Sequence, residues 1–237
     1  MTDVREAART MRQRIGDEGF VERLRASAPG LGFLSQVELD ASLDQVLREH
    51  DPEADVHVFG YGSLMWNPAL EHLYSCKAEI RGWHRSFCLH SHIGRGCAEH
   101  PGLMLALDAG GACAGMIICI DAAKSRDELR LLWRREMLTG AYVARWISAS
   151  TPRGPVRALT FIVNHSHPRY VRGLSVEQMA DLINTGRGAL GTCREYFDAT
   201  VTKLRALGIR DATMERLSVA LGGGDISVRL TNSFIGP

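Results

Sequence analysis

The sequence predicts an α+β fold in which short, mainly antiparallel strands form one sheet or small barrel, with helices packed around it. Three observations carry this reading. Between residues 56 and 120, runs rich in apolar and aromatic residues fall at 56–61, 76–81, 85–90, 103–107 and 113–120, with no helical stripe between them. Glycines and prolines punctuate these runs, and the Gly110-Gly111 pair predicts a hairpin turn between the last two. On either side the periodicity is helical, with capping boxes at the helix starts. A chain of 237 residues with 45% hydrophobic residues can bury a substantial core. We read one domain over 56–237, preceded by a helical N-terminal extension over 1–55.

In that extension Val4, Ala7, Ala8, Met11 and Ile15 approximate a helical stripe that Gly30 and Gly32 break. Ser35 and Glu38 are spaced as a capping box opening a second helix with Leu39, Leu43, Val46 and Leu47 on one face, and Asp51-Pro52 ends it. After the strands, Ser125 and Glu128 have the same spacing, and Leu129, Leu132 and Trp133 share a face up to Gly140. Tyr142–Ser148 and Val156–Val163 predict two further strands around the turn at 151–155, and 164–173 a loop. Ser175/Gln178 and Thr192/Glu195 open the C-terminal helices, where Tyr196, Phe197, Thr200, Val201 and Leu204 form a stripe read as core. The segment 225–237 is compatible with a final strand or with disorder.

The charge balance, 28 Lys+Arg against 27 Asp+Glu, gives no electrostatic reason for a nucleic-acid or membrane-surface partner and suits a small neutral or zwitterionic ligand. Six cysteines without a Cys-x-x-Cys pair, and no signal peptide or apolar span, predict free thiols in a soluble cytoplasmic protein. Histidines 84, 90, 92 and 100 with Cys97 match no zinc-binding spacing, so neither a metal nor a cofactor is predicted.

Two stretches carry chemistry. The strand Val56–Phe59 runs into Gly60-Tyr61-Gly62-Ser63-Leu64, a bend whose successive amide N–H groups can converge on an anion such as a carboxylate. The spacing fits neither a phosphate loop nor a nucleophile elbow, so Ser63 reads as a hydrogen-bonding residue. On the helix after Ser125, the position seven beyond Leu129 is Glu136, a carboxylate where the stripe calls for a core residue. Such a group either pairs with an arginine of another element or has its pKa raised toward neutrality for proton transfer; Arg134 and Arg135 are expected to point elsewhere on the helix. The loop 91–102, rich in glycine, brings Arg95 and several polar side chains within reach of a ligand.

Val58–Pro68, Arg81-Gly82-Trp83-His84-Arg85-Ser86-Phe87, Arg95-Gly96 followed by Pro101-Gly102, and Trp133–Met137 with Gly140 and Tyr142 together resemble, in order, the ChaC-type glutathione-specific γ-glutamylcyclotransferases. The resemblance implies the γ-glutamylcyclotransferase-like fold, a small, mainly antiparallel β-barrel surrounded by helices. It also implies cyclising cleavage of glutathione to 5-oxoproline and Cys-Gly without a cofactor. On the family's pattern Glu136 is the acid/base, the strand end and turn Phe59, Gly60, Tyr61, Gly62, Ser63 and Leu64 hold the γ-glutamyl group, and Arg95 and Tyr142 bind substrate. Phe161 stands where some members carry a tyrosine, so a hydroxyl contact there is not expected. Cyclotransfer on other γ-glutamyl amines or peptides, or a non-catalytic γ-glutamyl-binding regulatory module, are the competing readings.

Overall fold

The computed structural model describes residues 4–17 and 19–222. Helices α1 (Val4–Gly16), α2 (Gly19–Ser27) and α3 (Gln36–Leu47) precede strand β1 (Val56–Gly60), a 3-10 turn (Ser63–Met65), β2 (Tyr74–Ser91) and β3 (Gly102–Ile120). Then follow α4 (Ser125–Glu136), the hairpin β4 (Tyr142–Thr151) and β5 (Gly154–Val163), α5 (Val176–Thr185), the short strands β6 (Arg187–Gly188) and β7 (Gly191–Thr192), α6 (Cys193–Ala206) and α7 (Ala212–Ala220). The segment 225–237 lies outside the described residues.

The strands close into a barrel in the order β1-β3-β2-β4-β5. β1–β3, β2–β3, β2–β4 and β4–β5 are antiparallel, and the parallel bridge Val58↔Leu159 between β1 and β5 completes the ring. Its strands differ from the expectation in one respect. The runs 76–81 and 85–90 belong to one strand, as do 103–107 and 113–120, and the Gly110-Gly111 pair makes no hairpin. The register passes from Arg81↔Ala112 to Trp83↔Ala109, so two glycines oppose Gly82 in a β-bulge. Gly110 and Gly111, at φ 98° and 68°, take the positive dihedrals that a tight turn would also demand, and here they bend a continuous strand around the barrel. The chain reverses instead through the loop from 92 to 101.

The two faces of β1 feed two cores. Phe59 joins Ile80, Leu105, Ile117, Ile183 and Phe197 on the side of α5–α7, whereas Val56 and Val58 join Leu39, Leu43, Leu129, Trp133 and Phe161 on the side of α3 and α4.

The capping boxes at Ser35/Glu38, Ser175/Gln178 and Thr192/Glu195 are all formed, each worth about 1 kcal/mol of helix stability. The one expected at Ser125 is not. The α4 N-cap position is Lys124 with no side-chain cap, because Glu128 is buried and engaged elsewhere. Its two oxygens accept from Arg12 Nη1 and Nη2 at 2.6 Å each, and Oε2 also accepts from the Glu71 amide at 3.0 Å. A burial that would be costly for a lone carboxylate is thus satisfied by a bidentate partner from α1. No helix among the described residues is long and apolar enough to cross a membrane.

Candidate active site

α4 delivers three consecutive side chains to one place. Leu129, Leu132 and Trp133 are buried, and the helix ends at Glu136, whose carboxylate reaches a cavity of about 170 Å³ and retains 15% side-chain exposure. Arg135 does not point away, contrary to what helix geometry suggested. Its Nε lies 3.1 Å from Glu136 Oε1, while Nη2 donates to Ser63 Oγ at 2.8 Å and Nη1 to the carbonyls of Asn67 (2.8 Å) and Pro68 (3.2 Å). One guanidinium therefore ties the acid to the glycine-bearing bend. Ser63 Oγ is engaged as a hydrogen-bond acceptor.

Burial raises the Glu136 pKa, and Arg135 draws it down only in part. The phenols around it are pushed up as well. Burial is the first cause for Tyr61, Tyr142 and Tyr196, and the Glu136 charge adds to each, so all three are neutral donors at physiological pH. Tyr61 donates to the carbonyl of Phe161 at 2.8 Å and Tyr142 to that of Leu105 at 2.9 Å. The Tyr196 hydroxyl has no hydrogen-bond partner among the described residues, and its side chain lines the cavity.

Of the residues proposed from sequence, Glu136, Ser63, Arg95 and Tyr142 meet at this cavity. Phe59, Gly60, Tyr61, Gly62 and Leu64 are not among its lining residues. Phe59 and Leu64 are buried in opposite cores, and Tyr61 is buried beneath the bend, where Arg85 Nε holds its carbonyl at 2.7 Å. Neither Gly60 nor Gly62 has a positive φ; both are required by close approach. A Cβ on Gly60 would meet Leu64 Cβ at 2.9 Å, and one on Gly62 would meet the Tyr196 hydroxyl at 2.7 Å. The amides of Gly62, Ser63 and Leu64 donate to no acceptor among the described residues, as befits the free leading amides of a 3-10 turn. Phe161 stacks edge-to-face on Trp133 in the core, 5.6 Å between centroids.

Sequence reasoning missed Arg135, Arg169, Trp66 and Tyr196, all of which line the cavity. Tyr196 carried a signal: a tyrosine within an otherwise apolar stripe brings a hydroxyl that needs a use. Arg169 carried none, since it comes from an irregular loop; its Nε donates to the His90 carbonyl at 2.5 Å. The cavity is cationic. Among the described residues, Arg95, Arg134, Arg135 and Arg169 line it against the single carboxylate of Glu136, and neither Arg134 nor Arg169 is paired with an acid. Arg95 is held by the exposed Glu195 at 3.1 Å and the carbonyl of Thr192 at 3.2 Å.

A barrel with a largely desolvated acid at a helix end, in a cavity lined also by Ser63 of the turn and by four arginines, suits a small anionic molecule. The ChaC-like protein family matches residues 56–222, and the chain belongs to that family. It is 41% identical over 182 residues to the glutathione-specific gamma-glutamylcyclotransferase of Escherichia coli (strain K12), covering 76% of this chain and 79% of that relative. It is 31% identical over 178 residues to the enzyme of the same name from Schizosaccharomyces pombe, covering 66% and 86%. Among solved structures, the glutathione-specific gamma-glutamyl cyclotransferase from yeast shares the fold, with a TM-score of 0.64 at 18% identity over 72% of this chain and 95% of that one.

Proposed function

We propose that the protein cleaves glutathione to 5-oxoproline and cysteinylglycine, with Glu136 as the base and acid. The observation that carries this is the Glu136 carboxylate, desolvated at the cavity and joined to the Ser63 turn through Arg135. Support comes also from the E. coli and S. pombe relatives named for that activity.

The chemistry follows from the substrate's own geometry. The α-amine of a γ-glutamyl amide can reach its side-chain carbonyl, so the attack is intramolecular and the protein's task is positioning. Glu136 takes a proton from the α-ammonium, and the freed amine bonds to the carbonyl carbon to close a five-membered ring. The negative charge that develops on the carbonyl oxygen is received by the Tyr196 hydroxyl, which lines the cavity. The amide bond to cysteine then breaks. The ring nitrogen has shed two protons, and both end on the departing amine, which leaves as an ammonium; Glu136 relays them and returns to its carboxylate form. A raised pKa suits this double duty, because the same group must accept and release within one turnover.

Glutathione carries two carboxylates, and Arg134 and Arg169, which pair with no acid among the described residues, supply matching charge with Arg95. We place the reaction in the reducing cytoplasm, a reading supported by the six free cysteines. Chromatographic detection of 5-oxoproline after incubation with reduced glutathione tests the proposal. Stoichiometric 5-oxoproline and cysteinylglycine are the expected products; calorimetric binding of glutathione without either product would make the protein a γ-glutamyl-binding module instead.

A further inference from the structure

The helices that precede β1 lie outside the residues matched by the family, yet they build part of the cavity. Met11 and Ile15 of α1 and Phe20 and Leu24 of α2 line it together with Leu138 and Leu190. Ile15 and Phe20 are buried against Ala69, and Leu131 packs on that cluster. The wall is anchored rather than loosely apposed, since Arg12, one residue from Met11, grips the buried Glu128 through two bonds of 2.6 Å and reaches the Ala69 carbonyl at 3.4 Å.

This apolar wall exceeds what glutathione needs. Glutathione is polar at both ends, and its apolar pieces are small: the two methylenes of the γ-glutamyl chain and the cysteine CH2–SH. Four aliphatic or aromatic side chains in a cavity that also holds arginines suited to two carboxylates fit a molecule that keeps both carboxylates and adds a hydrocarbon group.

We propose that Met11, Ile15, Phe20 and Leu24 are specificity-determining residues that let the site accept glutathione thioethers, γ-glutamyl-cysteinyl-glycine with an alkyl or aryl substituent on sulfur. The inference rests on the cyclotransferase reading above and on the same acid. The bonds made and broken are those already given, and the thioether C–S bond is untouched. The departing product is the S-substituted cysteinylglycine.

The test compares kcat/KM for glutathione and its S-methyl, S-butyl and S-hexyl derivatives by 5-oxoproline release. With the full wild-type chain, kcat/KM is expected to rise with alkyl length, since each methylene buried in an apolar pocket contributes about fourfold. In the Met11→Gln/Leu24→Gln double variant, the S-hexyl value should fall about tenfold further than the glutathione value. The apolar exchange Met11→Leu/Leu24→Met should keep the wild-type preference. Met11 and Leu24 are only partly buried, which favours folding of the double variant, and the wild-type series stands without it. Conversion of glutathione with no conversion of the S-hexyl derivative, or an alkyl-length trend unchanged in the double variant, overturns this inference and leaves the proposed reaction intact. Absence of 5-oxoproline from every substrate overturns both.

Discussion

At the scale of single residues, Glu136 holds a charge where burial disfavours it, and two consequences follow from the direction of its pKa. In its proposed role as base Glu136 must be ionised to act, so kcat/KM should fall as pH drops through a midpoint above the ordinary carboxylate range, and that acid limb should vanish in the residual activity of Glu136→Gln. The stability consequence has the opposite sense. A carboxyl whose folded-state pKa is raised stabilises the fold while protonated, and that contribution is lost as pH rises through the folded value. Glu136→Gln should therefore raise Tm at neutral pH, with the gain shrinking on acidification; a variant less stable at pH 7 than at pH 4, relative to wild type, would contradict the shift. A neighbouring contact gives a second test. A Cβ at Gly62 meets the Tyr196 hydroxyl at 2.7 Å but the ring carbon that bears it only at 3.8 Å. Gly62→Ala should thus cost turnover in the wild-type background and cost much less once Tyr196→Phe has removed the hydroxyl, a non-additivity read from kcat in the double-variant cycle.

At the scale of elements, what could be read locally was read, and what depends on distant partners was not. Ser35, Ser175 and Thr192 cap their helices because both halves of each box lie within one turn of chain. Ser125/Glu128 has the same spacing and fails because Arg12, 116 residues away, claims the carboxylate. Gly110-Gly111 was misread for a different reason: hairpin turns and bulges demand the same positive φ, and only the register with Gly82 separates them. The α1–α4 link makes a prediction of its own. Arg12→Ala leaves Glu128 buried with only the Glu71 amide, which should cost roughly 1–3 kcal/mol, less than a fully buried pair because Arg12 is one-third exposed. Urea denaturation would measure it, and Arg12→Ala combined with Glu128→Leu should recover part of the loss.

At the scale of the whole molecule, the site is a meeting point of segments far apart in the chain: the bend after β1, the loop between β2 and β3, the end of α4, the start of β4, α6, and the two leading helices. Chemistry-bearing residues within recognisable stretches, such as Glu136, Ser63 and Arg95, were legible because each sits in a short motif. Arg135 was not, since its neighbours on the helix give no hint that its guanidinium would bond to a bend 68 residues earlier. The barrel makes that convergence possible by bringing the end of β1 beside the segment that leaves α4.

The central claim is that the Glu136 carboxylate moves the protons of ring closure. Its most direct measurement is 5-oxoproline formation by Glu136→Gln under single-turnover conditions, with glutathione binding followed by calorimetry on the same preparation. Binding retained with the rate lowered by about 10²- to 10⁴-fold is the predicted result. A rate near that of the wild type would show that another group carries the protons.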